Sequence, residues 1–421
     1  MTLKPHGSPY NWAPEAIRRL DSSRRIVIQD LTLEGDGEEM AGLYLSGADK
    51  VAIAQQLDAI GVPRIAVLGN SPRPTPDEVR EAETIAGLGL ACRIGSFAKT
   101  AHEIRLAADI GLWGVTVLVG ANDALLPDGR SGDDLVAHSR GLMEAGKERG
   151  LHTTFMAMDA TRTRPEFLRR LLAGVEAASD EIVIADSLGV ASPWGFRHLV
   201  ELARTWTTRP IQVHCHNHSS MAVANAMAAI VGGASVVHTT VNGLGELAGQ
   251  VPLEEFAVAA ELHLGLTTGI DLERLKGLSD YVVKATGVPI SVQKPVVGDH
   301  AFSFPETEEI QEAIYGLYRQ GKLDECLPSP ADRVGATMHM AIGRKCNEYT
   351  VRFNLETRGR TADDATIRTI AEAVRAKASA ATGHYIMDEA EFMDFVERQG
   401  FRLIPFDPSA EARGPAAGHG Q

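Results

Sequence analysis

Cysteine is sparse in this chain of 421 residues: Cys92, Cys215, Cys326 and Cys346 are scattered, with no CxxC pair among them. That spacing argues against a disulfide framework and fits a reducing cytoplasm. Long hydrophobic runs are missing too. No stretch approaches the roughly 20 apolar residues needed to span a bilayer, so no membrane partner is expected. The first residues, MTLKPHGSPYNW, have no apolar core of a signal peptide. A basic stripe is also lacking. Short pairs such as Arg24-Arg25 and Arg169-Arg170 read as solvated element ends, and the net charge is −14. A polyanion binder needs clustered Lys and Arg, so no nucleic-acid partner is expected. One or two local arginines can still hold a small anionic substrate.

What is present is an ordinary globular composition, 44% apolar and 23% charged. The length suits a barrel of roughly 250 residues with an appended domain. Eight short apolar runs read as strands, at 26–31, 64–68, 91–94, 115–119, 152–156, 181–185, 211–215 and 235–240. Most are β-branched and apolar on both faces, as buried parallel strands are. Helical patterns lie between them. Residues 49–60 place Val51, Ile53, Ala54, Leu57 and Ile60 on one face before Gly61. Thr75-Pro76-Asp77-Glu78 opens another helix with an N-cap, a proline and two acids. Ser192-Pro193 repeats the device for a helix running to about Arg204.

Eight strand–helix units predict an α/β fold, a closed (β/α)8 TIM barrel, with a doubly wound open sheet as the alternative. The expected organisation is an N-terminal extension at 1–23, a catalytic barrel at 24–268, a mostly helical region at 269–405 and a disordered tail at 406–421. Within the helical region, 272–286, 306–321 and 361–381 read as helices, and 289–304 is marked by Pro and Gly.

The chemistry concentrates at the ends of the predicted strands. VHCHNHSS, residues 213–220, closes the seventh strand. Strand side chains alternate faces, so His214 and His216 point the same way. The C-terminal end of a barrel strand is the active-site face, and two neutral imidazoles there form half of a divalent-metal site. The alternative is a pair of hydrogen-bonded core histidines. His218 lies one step further on, past the strand end, as a bystander or substrate contact.

A hard cation also takes oxygen ligands. The first strand ends in IQDLTLEGDGEEM, which offers Asp30, Glu34, Asp36, Glu38 and Glu39; one or two are expected as ligands, the rest as a solvated loop. The sixth ends in IADSLGVASP, where Ser187 could bind a carboxylate and Asp186 could orient a ligand histidine. After the eighth comes VNGLGELAGQVPLEEF, whose three glycines in seven residues suit either close backbone approach to a ligand or a plain connection.

The block HCHNHSSMAVANAMAAIVGGASVVHTTVNGLGELAG resembles the signature of the 2-isopropylmalate and homocitrate synthase family. That family belongs to the DRE-TIM metallolyases, with 3-hydroxy-3-methylglutaryl-CoA lyase and 4-hydroxy-2-oxovalerate aldolase. DLTLEGDGEEMAGL, MDATRTRPEFL, ADSLGVASP, PVVGDHAF and RVGATMHMAIGRKCNEY are further matches, so the resemblance runs from about residue 26 to about 380. It implies one divalent cation (Mg, Mn or Zn) on Asp36, His214 and His216. It implies a Claisen condensation of an acyl-CoA, acetyl-CoA being expected, with a 2-oxo acid. Asp159 and Arg162 would hold the distal part of that acid. Ser187 stands where the family has a substrate-binding threonine, and Asn242, Gly243 and Gly245 fall in the substrate loop. The C-terminal region resembles the family's dimerisation subdomain, which implies a homodimer.

The chain also departs from the family pattern. Where an arginine precedes the metal-binding aspartate, this chain has Glu34 and Gly35, in a loop one residue longer. Ala66 and Val67 stand near a family glutamate, AFSFPETEE replaces a histidine motif, Gln250 replaces an asparagine and Met158-Asp159 replaces Glu-Asp. The metal frame is kept while the acid–base groups differ, so a changed reaction or substrate is expected. Glu34, Glu38 and His218 are the candidate catalytic residues, with Arg93 as a further candidate for the oxyanion. A lyase or aldolase that works without CoA is the alternative, and a non-catalytic relative is the third reading.

Overall fold

The alternation of buried runs and capped helices closes into a ring. In the computed structural model, β1 (Val27–Asp30), β2 (Arg64–Ala66), β3 (Arg93–Ala98), β4 (Gly114–Gly120), β5 (His152–Met158), β6 (Glu181–Asp186), β7 (Ile211–Cys215) and β8 (Val236–Thr239) form one closed barrel. All neighbours are parallel, and β8 returns to β1 with His238 opposite Gln29. That closure excludes the open sheet. The structure describes residues 8, 11, 25–34, 37, 40–69, 74–122, 131–304, 307–323, 330–383 and 385–407. The expected tail at 406–421 falls almost wholly outside them.

Helices follow the strands as the capping signals predict. α1 (Gly47–Ala59) is capped by Ser46, whose hydroxyl accepts from Asp49 N. α2 (Pro76–Ala86) carries a full capping box, with Thr75 accepting from Glu78 N and Glu78 accepting from Thr75 N. α3 (Ala101–Ile110), α4 (Gly132–Lys147) and α5 (Pro165–Val175) come next. α6 (Pro193–Trp206) opens on Ser192 and Pro193, and α7 (Ala222–Gly232) and α8 (Leu253–Leu264) complete the ring.

The chain divides into two compact units, residues 1–291 with 295–297 and residues 292–294 with 298–421. The first therefore also contains α9 (Leu275–Thr286), entered through a 3₁₀ turn at Leu272–Arg274. The second contains α10 (Glu308–Arg319), α11 (Glu348–Glu356), α12 (Asp364–Ala380) and α13 (Glu389–Arg398). It also holds two small sheets, a parallel pair of Ser303–Phe304 with His339–Met340 and an antiparallel pair of Arg360–Thr361 with Ile404–Pro405. Val351, Leu355, Ile370, Val374, Phe392 and Val396 form its buried core.

Three elements differ most from the sequence reading. The third strand runs 93–98 rather than 91–94, because Gly95 and Ser96 continue it instead of ending it. Gly95 lets the neighbouring strand lie close, since a Cβ would stand a tight 3.2 Å from the carbonyl oxygen of Gly114. α11 and α13 are short helices that the apolar periodicity did not announce; both are N-capped, by Asn347 and Asp388. Among the described residues no helix is long and apolar enough to cross a membrane. Cys92, Cys215 and Cys346 are buried and carry no disulfide.

Inside the barrel, Leu31, Ala66, Phe97, Leu118, Met156, Val183 and Ala185 form an apolar cluster. Beside it, β7 and β8 turn polar groups inward: Gln212, His214 and His238 are all buried.

Candidate active site

β7 delivers His214 to the C-terminal rim, and the next residue on the same face is His216. Both imidazoles are buried, and their Nε2 atoms approach to 3.1 Å. The rings lie nearly edge to face. Burial pushes the His214 pKa down to about 4, so its imidazole is neutral at pH 7. Val213 pairs with Val237 across the β7–β8 seam, which brings His238 Nδ1 to 3.3 Å from His214 Nδ1. Burial also holds the His238 pKa well below the usual histidine value.

The loop after β8 folds against this pair. His216 makes an isolated antiparallel bridge with Gln250, and Glu246 Oε1 lies 4.0 Å from His216 Nε2. Gln250 is buried, and its amide finds no hydrogen-bond partner among the described residues. Gly249 can only be glycine here, because a Cβ would overlap the carbonyl oxygen of Gly243. Asn242 is in the left-handed region at φ 61°. Its side chain turns to α9, donating to Ser279 O at 3.1 Å and accepting from Ser279 Oγ at 2.5 Å. The Asn242 side chain thus fastens the loop to α9.

At the first strand, Asp30 is buried, and its pKa rises to about 6 because burial outweighs the hydrogen bonds it accepts from Thr32 N and Thr239 Oγ1. Glu34 is buried on the backbone of Gly69, where a side chain at that glycine would collide with its Oε1. Gly37 returns over the turn, its N–H donating to the Leu31 and Glu34 carbonyls. The expected ligand Asp36 and the candidate base Glu38 lie outside the described residues. Among the described residues, His214 and His216 are not completed to a three-ligand cluster.

A second polar group stands where β5 and β6 end. Asp159 adopts φ 59°, and its carboxylate takes a two-pronged bond from Arg162, through Nε at 2.8 Å and Nη2 at 2.7 Å. Asn122 Nδ2 adds a third donor at 2.8 Å, and Asp159 N donates to Ser187 Oγ at 2.9 Å. Asp159, Arg162 and Ser187 are therefore one cluster. His218 is exposed. Asp186 does not orient a histidine. Its carboxylate accepts from Thr161 Oγ1, Val190 N and Ala191 N, which shapes the loop into α6. Arg93 begins β3, at the N-terminal end of the barrel, with its guanidinium over Trp113. It stands at the opposite end of the barrel from the rim.

The sequence reading missed His238, Gln212, Glu246 and Asn122. Gln212 carried a signal, because it continues the two-residue period of His214 and His216. His238 did not, because a lone histidine in an apolar strand reads as core.

Residues 25–282 match the HMGL-like family. The chain belongs to that family. Among its HMGL-like relatives, a protein of Archaeoglobus fulgidus named probable 2-isopropylmalate synthase is 33% identical over 83% of this chain and 69% of its own length. A homocitrate synthase of Methanopyrus kandleri is 30% identical over 88% of this chain and 91% of its own. The fold is similar to the crystal structure of the HMG-CoA lyase of Bacillus subtilis, with a TM-score of 0.58 at 17% identity, over 64% of this chain and 96% of that one.

Proposed function

We propose that this chain is a divalent-metal-dependent enzyme that condenses an acyl-CoA, acetyl-CoA being the expected donor, with a 2-oxo acid. One observation carries the reading: two buried imidazoles, that of His214 neutral at pH 7, meet Nε2 to Nε2 at 3.1 Å at the end of β7 in an HMGL-like barrel. The donor set fits a divalent cation, because each ring can turn a lone pair to the same point. His214 and His216 would hold it, with Asp36 as the third ligand by position; Mg, Mn and Zn all suit such a set. When bound, the cation polarises the carbonyl of the 2-oxo acid.

The chain's own groups divide the remaining work. Arg162, fixed by the Asp159 carboxylate that Asn122 also braces, offers the Nη1 edge of its fork to the distal part of the acid. Ser187 Oγ, already accepting from Asp159 N, has its proton to donate to a substrate carboxylate. Gly243 and Gly245 let the loop backbone approach the substrate. Of the candidate bases, Glu34 is buried near the rim, His218 is exposed and Glu38 lies outside the described residues. We assign Glu34 as the group that takes the acyl α-proton. The region after the barrel forms the homodimer in this reading, and the cytoplasm is its compartment.

The test is thiol release. Protein loaded with Mg or Mn is incubated with acetyl-CoA and a panel of 2-oxo acids, and free CoA is followed. Release that requires metal and one oxo acid, and that His214→Ala abolishes together with metal content, supports the proposal. Glu34→Gln should then slow turnover without emptying the metal site. A second reading, a lyase or aldolase working without CoA, is favoured by the loss of the family arginine before Asp36, where this chain has Gly35 preceded by the buried carboxylate of Glu34. No CoA release with any acid, but cleavage of a 4-hydroxy-2-oxo acid, would establish that reading instead.

A further inference from the structure

A chain of hydrogen bonds runs through the barrel from β6 to the histidine pair, and each link fixes the direction of the next. It begins at Glu181, the first residue of β6. Its carboxylate accepts from Arg64 Nη1 at 2.6 Å and Nη2 at 3.1 Å, meets His152 Nε2 at 3.1 Å and accepts from Gln212 Nε2 at 2.6 Å. Burial alone would raise its pKa, but the His152 and Arg64 hydrogen bonds outweigh burial and bring it down to about 2.

An ionised carboxylate only accepts. The amide nitrogen of Gln212 must therefore face Glu181, which settles an amide orientation that distance alone leaves open. The amide oxygen then faces His238 Nε2 at 2.7 Å. That oxygen also only accepts, so His238 Nε2 carries the hydrogen. His238 is fully buried, and a buried imidazole is neutral, with one N–H and one lone pair. Its lone pair is then on Nδ1, facing His214 Nδ1 at 3.3 Å. His214 must donate from Nδ1, which leaves its lone pair on Nε2, the atom that meets His216.

We infer that Gln212 and His238 are positioning residues that hold His214 as its Nδ1–H tautomer, with Glu181 setting the direction of the chain. The consequence for a metal ligand rests on the proposed metal site; the tautomer itself does not. Ligand histidines are commonly oriented through their second nitrogen by a carboxylate or carbonyl. Here the orienting carboxylate is two side chains away.

The experiment is ¹⁵N NMR of histidine-labelled, metal-free, full-length protein, with the His214 signals assigned by their loss in His214→Asn. The expected result is a single His214 tautomer with hydrogen on Nδ1. His238→Leu and Gln212→Leu should each give a mixture of tautomers, and calorimetric affinity for Mn²⁺ or Zn²⁺ should fall roughly 10- to 100-fold, the usual cost of losing such a partner. The amide introduced by His238→Gln can donate to Gln212 Oε1 and accept from His214 Nδ1, so it should restore both readouts. Hydrogen on His214 Nε2 in the wild type overturns the inference, a result that needs no variant to fold. So do folded leucine variants that keep tautomer and affinity. A wild type with the expected tautomer but no affinity for any divalent cation sinks the metal reading and leaves the inference standing.

Discussion

The barrel interior has two halves built on different physics. On one side Leu31, Phe97, Leu118, Met156 and Val183 pack as an apolar cluster. On the other, Glu181, Gln212, His238 and His214 form a polar column. The halves touch, since the Phe97 and His238 rings lie 5.9 Å apart. Apolar packing is tolerant of exact partners but sensitive to lost volume. A buried polar chain is the reverse, since volume matters less than whether every donor meets an acceptor. The apolar half should therefore govern stability, and the polar half should govern what the rim can bind.

The largest expected effect breaks the first half of that comparison. Phe97→Ala removes a fully buried ring and should cost about 4 kcal/mol in denaturant unfolding. Its metal affinity, measured on the folded fraction, should stay within a factor of a few. A collapse of affinity would show that the halves are not separable.

Glu181→Gln attacks the second half. It leaves Arg64 without its ionised partner and should cost about 3 kcal/mol. It should also weaken metal binding, because an amide at the column's foot no longer fixes Gln212. Lost stability with unchanged affinity would reduce Glu181 to a salt-bridge residue.

Acid should act on the column in a defined window. The folded pKa of His214 is depressed to about 4 from 6.5, so below pH 6.5 the unfolded chain takes a proton that the folded chain refuses. Stability is then lost as pH falls from 6.5 to 4, by roughly 3 kcal/mol for this group. Asp30 opposes it: with its pKa raised to about 6, it contributes stability at low pH that is lost as pH rises through 6. The difference between metal-free wild-type and His214→Asn unfolding curves isolates the histidine. A difference that does not change with pH would contradict the assignment.

The smallest effect is a control far from both halves. Thr75→Ala removes the exposed capping box of α2 and should cost about 1 kcal/mol, with no change in metal affinity. A change there would mean that affinity merely follows global stability.

The barrel was legible because its signals are local. Strand runs, proline–acid helix starts and stopping glycines each sit within a few residues. The histidine pair was legible for the same reason, through the two-residue period of a strand. His238 was not, because its role is set by the register of β7 on β8, and neither strand alone encodes that register. Asp186 was ambiguous for a related reason. A carboxylate after a strand can serve a histidine or its own loop, and only the folded loop shows Val190 N and Ala191 N pointing at it. The cluster of Asp159, Arg162 and Ser187 joins the ends of two strands, so neither segment alone announces it.

The polar column also constrains how this protein can change. It has a polarity, like a row of arrows laid head to tail, and one arrow cannot be reversed alone. An amide can flip and an imidazole can move its hydrogen, so a donor in place of the acceptor at position 181 would turn every arrow above it and put the hydrogen of His214 on Nε2. Position 181 is therefore the one place where a single change can reverse the row, whereas positions 212 and 238 tolerate only side chains that both donate and accept.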